Sequence, residues 1–258
     1  MKTRNDSSEK LSMLEELSTE LKRTLVKMAD QYETTEFIQF DPISFVRDTA
    51  NVGNRQDVEV SAFISSWLAF GSRTMIYVAL RKLHREMEYK PFQYLQSHQW
   101  KRYENDSQTL HRFFTYHDFY CLMERLEVLY EKDAFSWRDS LSRNYPLTYL
   151  IACFQGVKGF PKNDTSACKR LNMLLRWMVR QNSVVDLGIW DQINPAILYL
   201  PLDTHSHRVA IELGLTDKKI PSMNVVTEIT EKLAQAFPGD PARGDFALFG
   251  FGVNHKSK

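Results

Sequence analysis

The chain has 258 residues, 43% of them hydrophobic and 25% charged, a balance that suits one sizeable globular core and excludes a disordered or collagen-like protein. No apolar run approaches the roughly 20 residues needed to span a bilayer, and Met1–Asp6 leads into charge rather than a signal core, so a cytoplasmic protein without a membrane partner is expected. Three separated cysteines, Cys121, Cys153 and Cys168, exclude a disulfide framework and cannot supply the four thiolates of an iron–sulfur cluster.

Taken in order, residues 11–34 read as an amphipathic helix. Leu14, Leu17, Leu21, Leu25 and Met28 recur at three- and four-residue steps, with Ser12 and Glu15 as a capping box. Asp41-Pro42 breaks the pattern, and residues 48–55 read as a loop. Asp57 opens a helix whose inner face carries Val60, Phe63, Ile64, Trp67, Leu68 and Phe70, and which ends at Gly71-Ser72-Arg73. A basic helix with Arg81, Lys82, His84 and Arg85 follows.

From Tyr89 to Asp118 the sequence is irregular and aromatic. Trp100, Tyr103, Phe113, Phe114, Tyr116, Phe119 and Tyr120 serve either as core or as a surface on which bases stack. His117-Asp118 has two readings: a fragment of a phosphohydrolase metal site, with His84, His98 or His111 recruited, or a cap for the helix bearing Leu122, Leu126 and Leu129. Trp137 and residues 147–154 continue the helical pattern.

Between Gly156 and Arg180 lie six basic residues (Lys158, Lys162, Lys169, Arg170, Arg176 and Arg180) and one acid, Asp164, against a net charge of +1 for the whole chain. A basic loop feeding a helix suits phosphate binding; the other reading is a solvated charged face. Leu171, Leu174, Leu175 and Met178 give that helix its apolar side.

Leu200-Pro201-Leu202-Asp203-Thr204-His205 is an apolar approach, an acidic cap and a helix that buries Val209 and Leu213 and stops at Gly214. A carboxylate at a positive helix end is favoured in its charged form. It can stabilise a developing positive charge, or it can be a cap and nothing more. His205 and His207, two positions apart, do not share a helix face, so no metal is expected there. Ser222 caps a helix reaching Phe237. After Pro238-Gly239-Asp240-Pro241, with Asp240 a cap and Pro241 at the first helical position, the last helix carries Phe246, Phe249 and Phe251. With alternating patterns scarce, the fold class is mainly α.

The layout from Ser166 to Leu215, with Lys169 upstream and Leu202-Asp203-Thr204-His205 at a helix start, resembles the helix–hairpin–helix DNA glycosylase superfamily. More closely, four stretches resemble a bacterial family of unknown function that looks related to the archaeal 8-oxoguanine DNA glycosylases. They are residues 168–179, Asp186-Leu187-Gly188-Ile189-Trp190, Leu202–His205 and Asp245-Phe246-Ala247-Leu248-Phe249-Gly250.

The resemblance spans residues 35–254 and implies a single two-lobed helical bundle of the glycosylase type over residues 1–258, with residues 1–34 as an N-terminal helix and a pocket between the lobes. It implies a base-excision repair glycosylase with an abasic-site lyase step, acting as a monomer on duplex DNA with an oxidised purine such as 8-oxoguanine, without cofactor. Asp203 takes the catalytic carboxylate role and Lys169 that of nucleophile. Gly71 and Arg73 border the base pocket with His205. Phe249 and Phe251 are stacking candidates, and Arg170, Lys158 and Lys162 contact DNA.

Two features depart from the superfamily pattern. Lys169 and Asp203 stand 34 residues apart, a longer spacing like that of the archaeal branch. The usual hairpin has only Gly156-Val157-Lys158-Gly159-Phe160-Pro161-Lys162 as a substitute, well ahead of Lys169, which leaves Lys158 and Lys162 as fallback amines. The competing classes are a non-catalytic DNA-binding helical protein and a metal-dependent phosphohydrolase.

Overall fold

The computed structural model describes residues 16–131, 136–143 and 145–254. Twelve α-helices account for most of these: α1 (Thr19–Tyr32), α2 (Ile43–Ala50), α3 (Arg55–Leu68), α4 (Arg73–Glu86), α5 (Pro91–Gln96), α6 (Tyr116–Glu131), α7 (Ser136–Arg143), α8 (Pro146–Cys153), α9 (Lys169–Val179), α10 (Thr204–Glu212), α11 (Met223–Ala236) and α12 (Gly244–Asn254). One short antiparallel hairpin, β1 (Thr109–His111) with β2 (Phe114–Thr115), interrupts them. The mainly α class is confirmed, and no helix is long and apolar enough to cross a membrane among the described residues.

Helix α3 is the centre of the packing. Asn54 and Asp57 exchange hydrogen bonds in a capping box, so Asp57 stands inside the helix rather than ahead of it. Every residue from Asp57 to Leu68 is buried, polar ones included, because α2, α4, α5 and α9 cover it on all sides. Its one fully buried carboxylate, Glu59, accepts from Arg138, Tyr130 and Trp190. Phe70 lies past the helix end and is exposed, so it does not belong to that inner face.

Three sequence expectations need correction. Helix α1 begins at Thr19, where the Ser18 hydroxyl accepts from the Leu21 amide; the Ser12–Glu15 box and Leu14 lie outside the described residues. Asp41-Pro42 starts a helix instead of only ending one, because a proline in the first turn surrenders no internal hydrogen bond and Asp41 accepts from the Ile43 amide. That helix, α2, takes up residues 48–50 of the expected loop. His84 is fully buried between Ser61 Oγ at 2.8 Å and the Leu80 carbonyl at 2.9 Å, and burial lowers its pKa to about 4, so it is a neutral core residue.

The basic run behind Gly156 also divides differently from either reading. Arg176 and Arg180 are buried ion-pair centres. Arg176 meets Asp245 and Asp186, while Arg180 meets Asp186, Asp240 and Glu33. Buried guanidinium groups require such carboxylates, and here they fasten α9 to the Asp186 loop, to the end of α1 and to the segment leading into α12. The Asp240 side chain is thereby taken by Arg180 and makes no capping bond. Of the aromatic stretch, Trp100, Phe114 and Phe119 are fully buried core, whereas Phe113 is 48% exposed.

A candidate active site where three helices begin

Helices α9, α10 and α12 start close to one another. Lys169 is the first residue of α9, following Cys168 in a left-handed conformation. Asp203 caps α10: its Oδ1 accepts from the His205 amide at 2.8 Å and the Ser206 amide at 2.9 Å. Its Oδ2 makes no hydrogen bond among the described residues. Gly214, at φ +70, ends α10 as expected.

Asp245, the second residue of α12, joins them. It is buried, accepts from Ser206 Oγ at 3.4 Å and pairs with Arg176, which stands two turns beyond Lys169 on the same face of α9. Burial raises its pKa to about 6; Arg176 and Lys169 act to lower it, and Asp203 and Asp186 to raise it. Lys169 and Asp203 therefore both lie within electrostatic reach of one buried carboxyl group. Among the described residues, the Lys169 amine has a single close polar contact, to Met173 Sδ at 3.4 Å, and no ion pair. The arrangement sets a half-buried amine and a half-buried carboxylate beside a desolvated third group, a setting that supports nucleophilic and charge-stabilising chemistry.

The raised Asp245 pKa has a consequence for stability. Its ordinary value is 3.8 and its folded value about 6, so the folded state binds the extra proton between these limits. This contribution is fully present below pH 3.8 and is lost as pH rises through 6. In urea melts, the stability of the native chain relative to Asp245→Asn is expected to fall between pH 4 and 6, by at most about 1.4 kcal/mol per pH unit. A difference flat across that range would mean that Asp245 titrates at its ordinary value.

An aromatic wall stands behind α10. The Arg73 guanidinium lies 4.9 Å from the Phe249 ring and 5.2 Å from that of Phe37, within 3.9 Å of Asp41. The His205 ring meets Phe249 edge-on at 6.2 Å. Arg73, His205 and Phe249 are thus brought together, and the Arg73 Nη2 atom is buried without a hydrogen-bond partner among the described residues. Phe251, two positions further along α12, packs against the core from another side of the helix.

The remaining sequence-predicted residues make their contacts away from Asp203 and Asp245. Arg170 donates to the Trp67 carbonyl at 2.9 Å, and burial lowers its pKa to about 10. Lys158 is held by Asp118 at 2.7 Å, and Lys162 is exposed. The space above Gly71, at φ +103, is taken by the Arg112 side chain. The Gly156–Lys162 turn has Gly156 and Gly159 at positive φ, and a Cβ on Gly159 would lie 2.6 Å from the Phe114 ring. His207 bonds to the Lys218 carbonyl, and Asp118 accepts from Thr115 as well as Lys158. Among the described residues, no three His, Cys, Asp or Glu side chains gather as metal ligands.

Asp245, Phe37 and Asp41 were not legible as site residues. For Asp245 a signal exists, since it is the only charged residue in the otherwise apolar and glycine-rich run from Gly244 to Asn254. Phe37 and Asp41 carry no comparable mark.

Together these elements define a mainly α-helical protein with one polar cluster at three helix starts. The chain belongs to DUF2400, a family of proteins of unknown function, whose match covers residues 41–254. No curated protein and no solved structure matches it.

Proposed function

We propose that the chain is a DNA base-excision glycosylase with an abasic-site lyase step, acting on an oxidised purine such as 8-oxoguanine. The observation that carries this reading is the convergence of Lys169 and Asp203, 34 residues apart, on Asp245. A bare cap on α10 does not require that the amine of another helix share a buried carboxyl neighbour with it.

In this reading the helices form two lobes with the base pocket between them, and the damaged base is flipped out of the duplex into it. Arg73, His205 and Phe249 line that pocket. The Lys169 amine, in its neutral form, attacks the sugar C1′. The C1′–N bond breaks, its electron pair leaves with the base, and the base gains a proton. Opening of the sugar ring then gives a Schiff base between C1′ and the lysine nitrogen. Asp203 offers its free oxygen to the positive charge that builds on the sugar. Loss of a C2′ proton from the Schiff base then forms a C2′–C3′ double bond, the C3′–O bond breaks with its electron pair leaving on the 3′ phosphate, and the strand is nicked.

The test is borohydride trapping on an 8-oxoguanine duplex and on an abasic duplex. Borohydride delivers a hydride to the Schiff base and leaves a stable protein–DNA adduct. The native chain is expected to form the adduct and Lys169→Gln to lose it. A native chain that traps on neither duplex overturns the reading, and an adduct that survives Lys169→Gln removes Lys169 as nucleophile.

A further inference from the structure

We infer that the hairpin tip and the loop after α3 form a stacking platform for an unpaired DNA base beside the candidate active site, an inference that rests on the chain being a DNA-binding protein as proposed above. Phe70 and Phe113 are 41% and 48% exposed, and their rings lie 5.2 Å apart. The two rings together offer an apolar face at the surface, and three cations surround it. The Arg112 guanidinium stands 5.1 Å from the Phe70 ring, that of Arg170 5.7 Å from the same ring, and the Lys158 amine 5.7 Å from Phe113. Asp118, paired with Lys158, is the one carboxylate bonded to any of the three among the described residues. Flat apolar faces ringed by positive charge fit a nucleobase and its phosphates. Arg170 follows Lys169 directly, which sets the platform next to the proposed nucleophile.

The backbone supports a built surface. His111 and Phe114 pair across the hairpin, so Arg112 and Phe113 form a two-residue turn. Arg112 takes φ +54 at the position where such turns favour Gly or Asn. An arginine held in a left-handed conformation is strained, and strain of this kind gathers where function needs a side chain held in place. The tip is fastened on both sides. His111 Nε2 meets the Phe70 carbonyl at 2.8 Å, and the Lys158 amine donates to the Phe113 carbonyl. Gly71 leaves room for the Arg112 side chain to lie across the neighbouring loop.

The test measures binding of the full chain by fluorescence anisotropy to a duplex with a tetrahydrofuran abasic analogue, which leaves one base unpaired, and to the same duplex intact. Phe70→Ala/Phe113→Ala is expected to weaken binding to the abasic-analogue duplex roughly ten- to a hundredfold while changing the intact duplex little. Phe70→Leu/Phe113→Leu, which keeps apolar bulk without a flat face, is expected to weaken it as well. Arg112→Gly is expected to lose affinity for both duplexes while its melting temperature holds or rises, since glycine relieves the turn.

Leucine or alanine variants that bind the abasic-analogue duplex within about twofold of the native chain overturn the platform. So does a native chain that self-associates through this patch, monomeric as the alanine variant, with unchanged DNA affinity. Ring-dependent binding without a borohydride adduct keeps the platform and removes the glycosylase reading. A native chain that binds neither duplex removes both.

Discussion

Under the proposed glycosylase reading, Asp203→Asn is expected to slow base release on the order of a thousandfold while the protein melts at nearly its native temperature. The substitution is informative because asparagine caps a helix about as well as aspartate. Its side-chain oxygen can still accept from the His205 and Ser206 amides, so α10 keeps its start. What disappears is the charge on the oxygen that makes no other bond. Asp203→Ala removes cap and charge together and is expected to cost about 1 kcal/mol of stability in addition. Single-turnover release from an 8-oxoguanine duplex, measured with both variants, separates the two roles. A rate unchanged in Asp203→Asn would reduce the residue to a cap.

Glu59→Gln carries the largest expected effect on folding, a loss of about 3–5 kcal/mol. Arg138 reaches both Glu59 oxygens, with Nε at 2.7 Å from Oε1, and Tyr130 and Trp190 add hydrogen bonds at 3.0 and 3.1 Å. Glutamine offers one acceptor oxygen in place of two and turns an amide toward donors. The buried Arg138 then faces a neutral amide where it had a carboxylate, a loss that is a large part of a typical 5–15 kcal/mol total. Urea denaturation measures it. Removing both charges, as Glu59→Leu with Arg138→Met, is expected to recover only part of the stability, since the ionic loss is relieved but the Tyr130 and Trp190 donors lose their acceptor. A Glu59→Gln loss below about 1 kcal/mol would mean that Arg138 finds water instead.

The elements that the sequence revealed are those governed by neighbours along the chain. The apolar steps of α9 and the stop at Gly214 were readable because caps and periodicity are local, whereas α3 ends at Leu68, ahead of the expected Gly71. Asp203 was readable as a cap for the same reason. Helix α2 was missed because eight residues that follow a proline and carry Arg47 and Asp48 near their end resemble a loop. Arg176 and Arg180 looked like surface charge, since their carboxylate partners come from Glu33, Asp186, Asp240 and Asp245. Those pairings are made by tertiary packing and leave no trace in spacing. The Lys169–Asp203 association entered through a resemblance, and their shared neighbour Asp245 became visible only once α12 was placed.

The family match begins at residue 41, yet α1 ends before it and is inseparable from the core. Gly250 lies so tightly against Tyr32 that a Cβ there would fall 2.2 Å from the ring. Glu33 pairs with Arg180 and Arg243, and Phe37 forms one side of the wall around Arg73. The helix that carries Phe249 is therefore seated by residues outside the segment that defines the family. What marks kinship in this chain is smaller than what folds, and the boundary between them runs through the back wall of the candidate site.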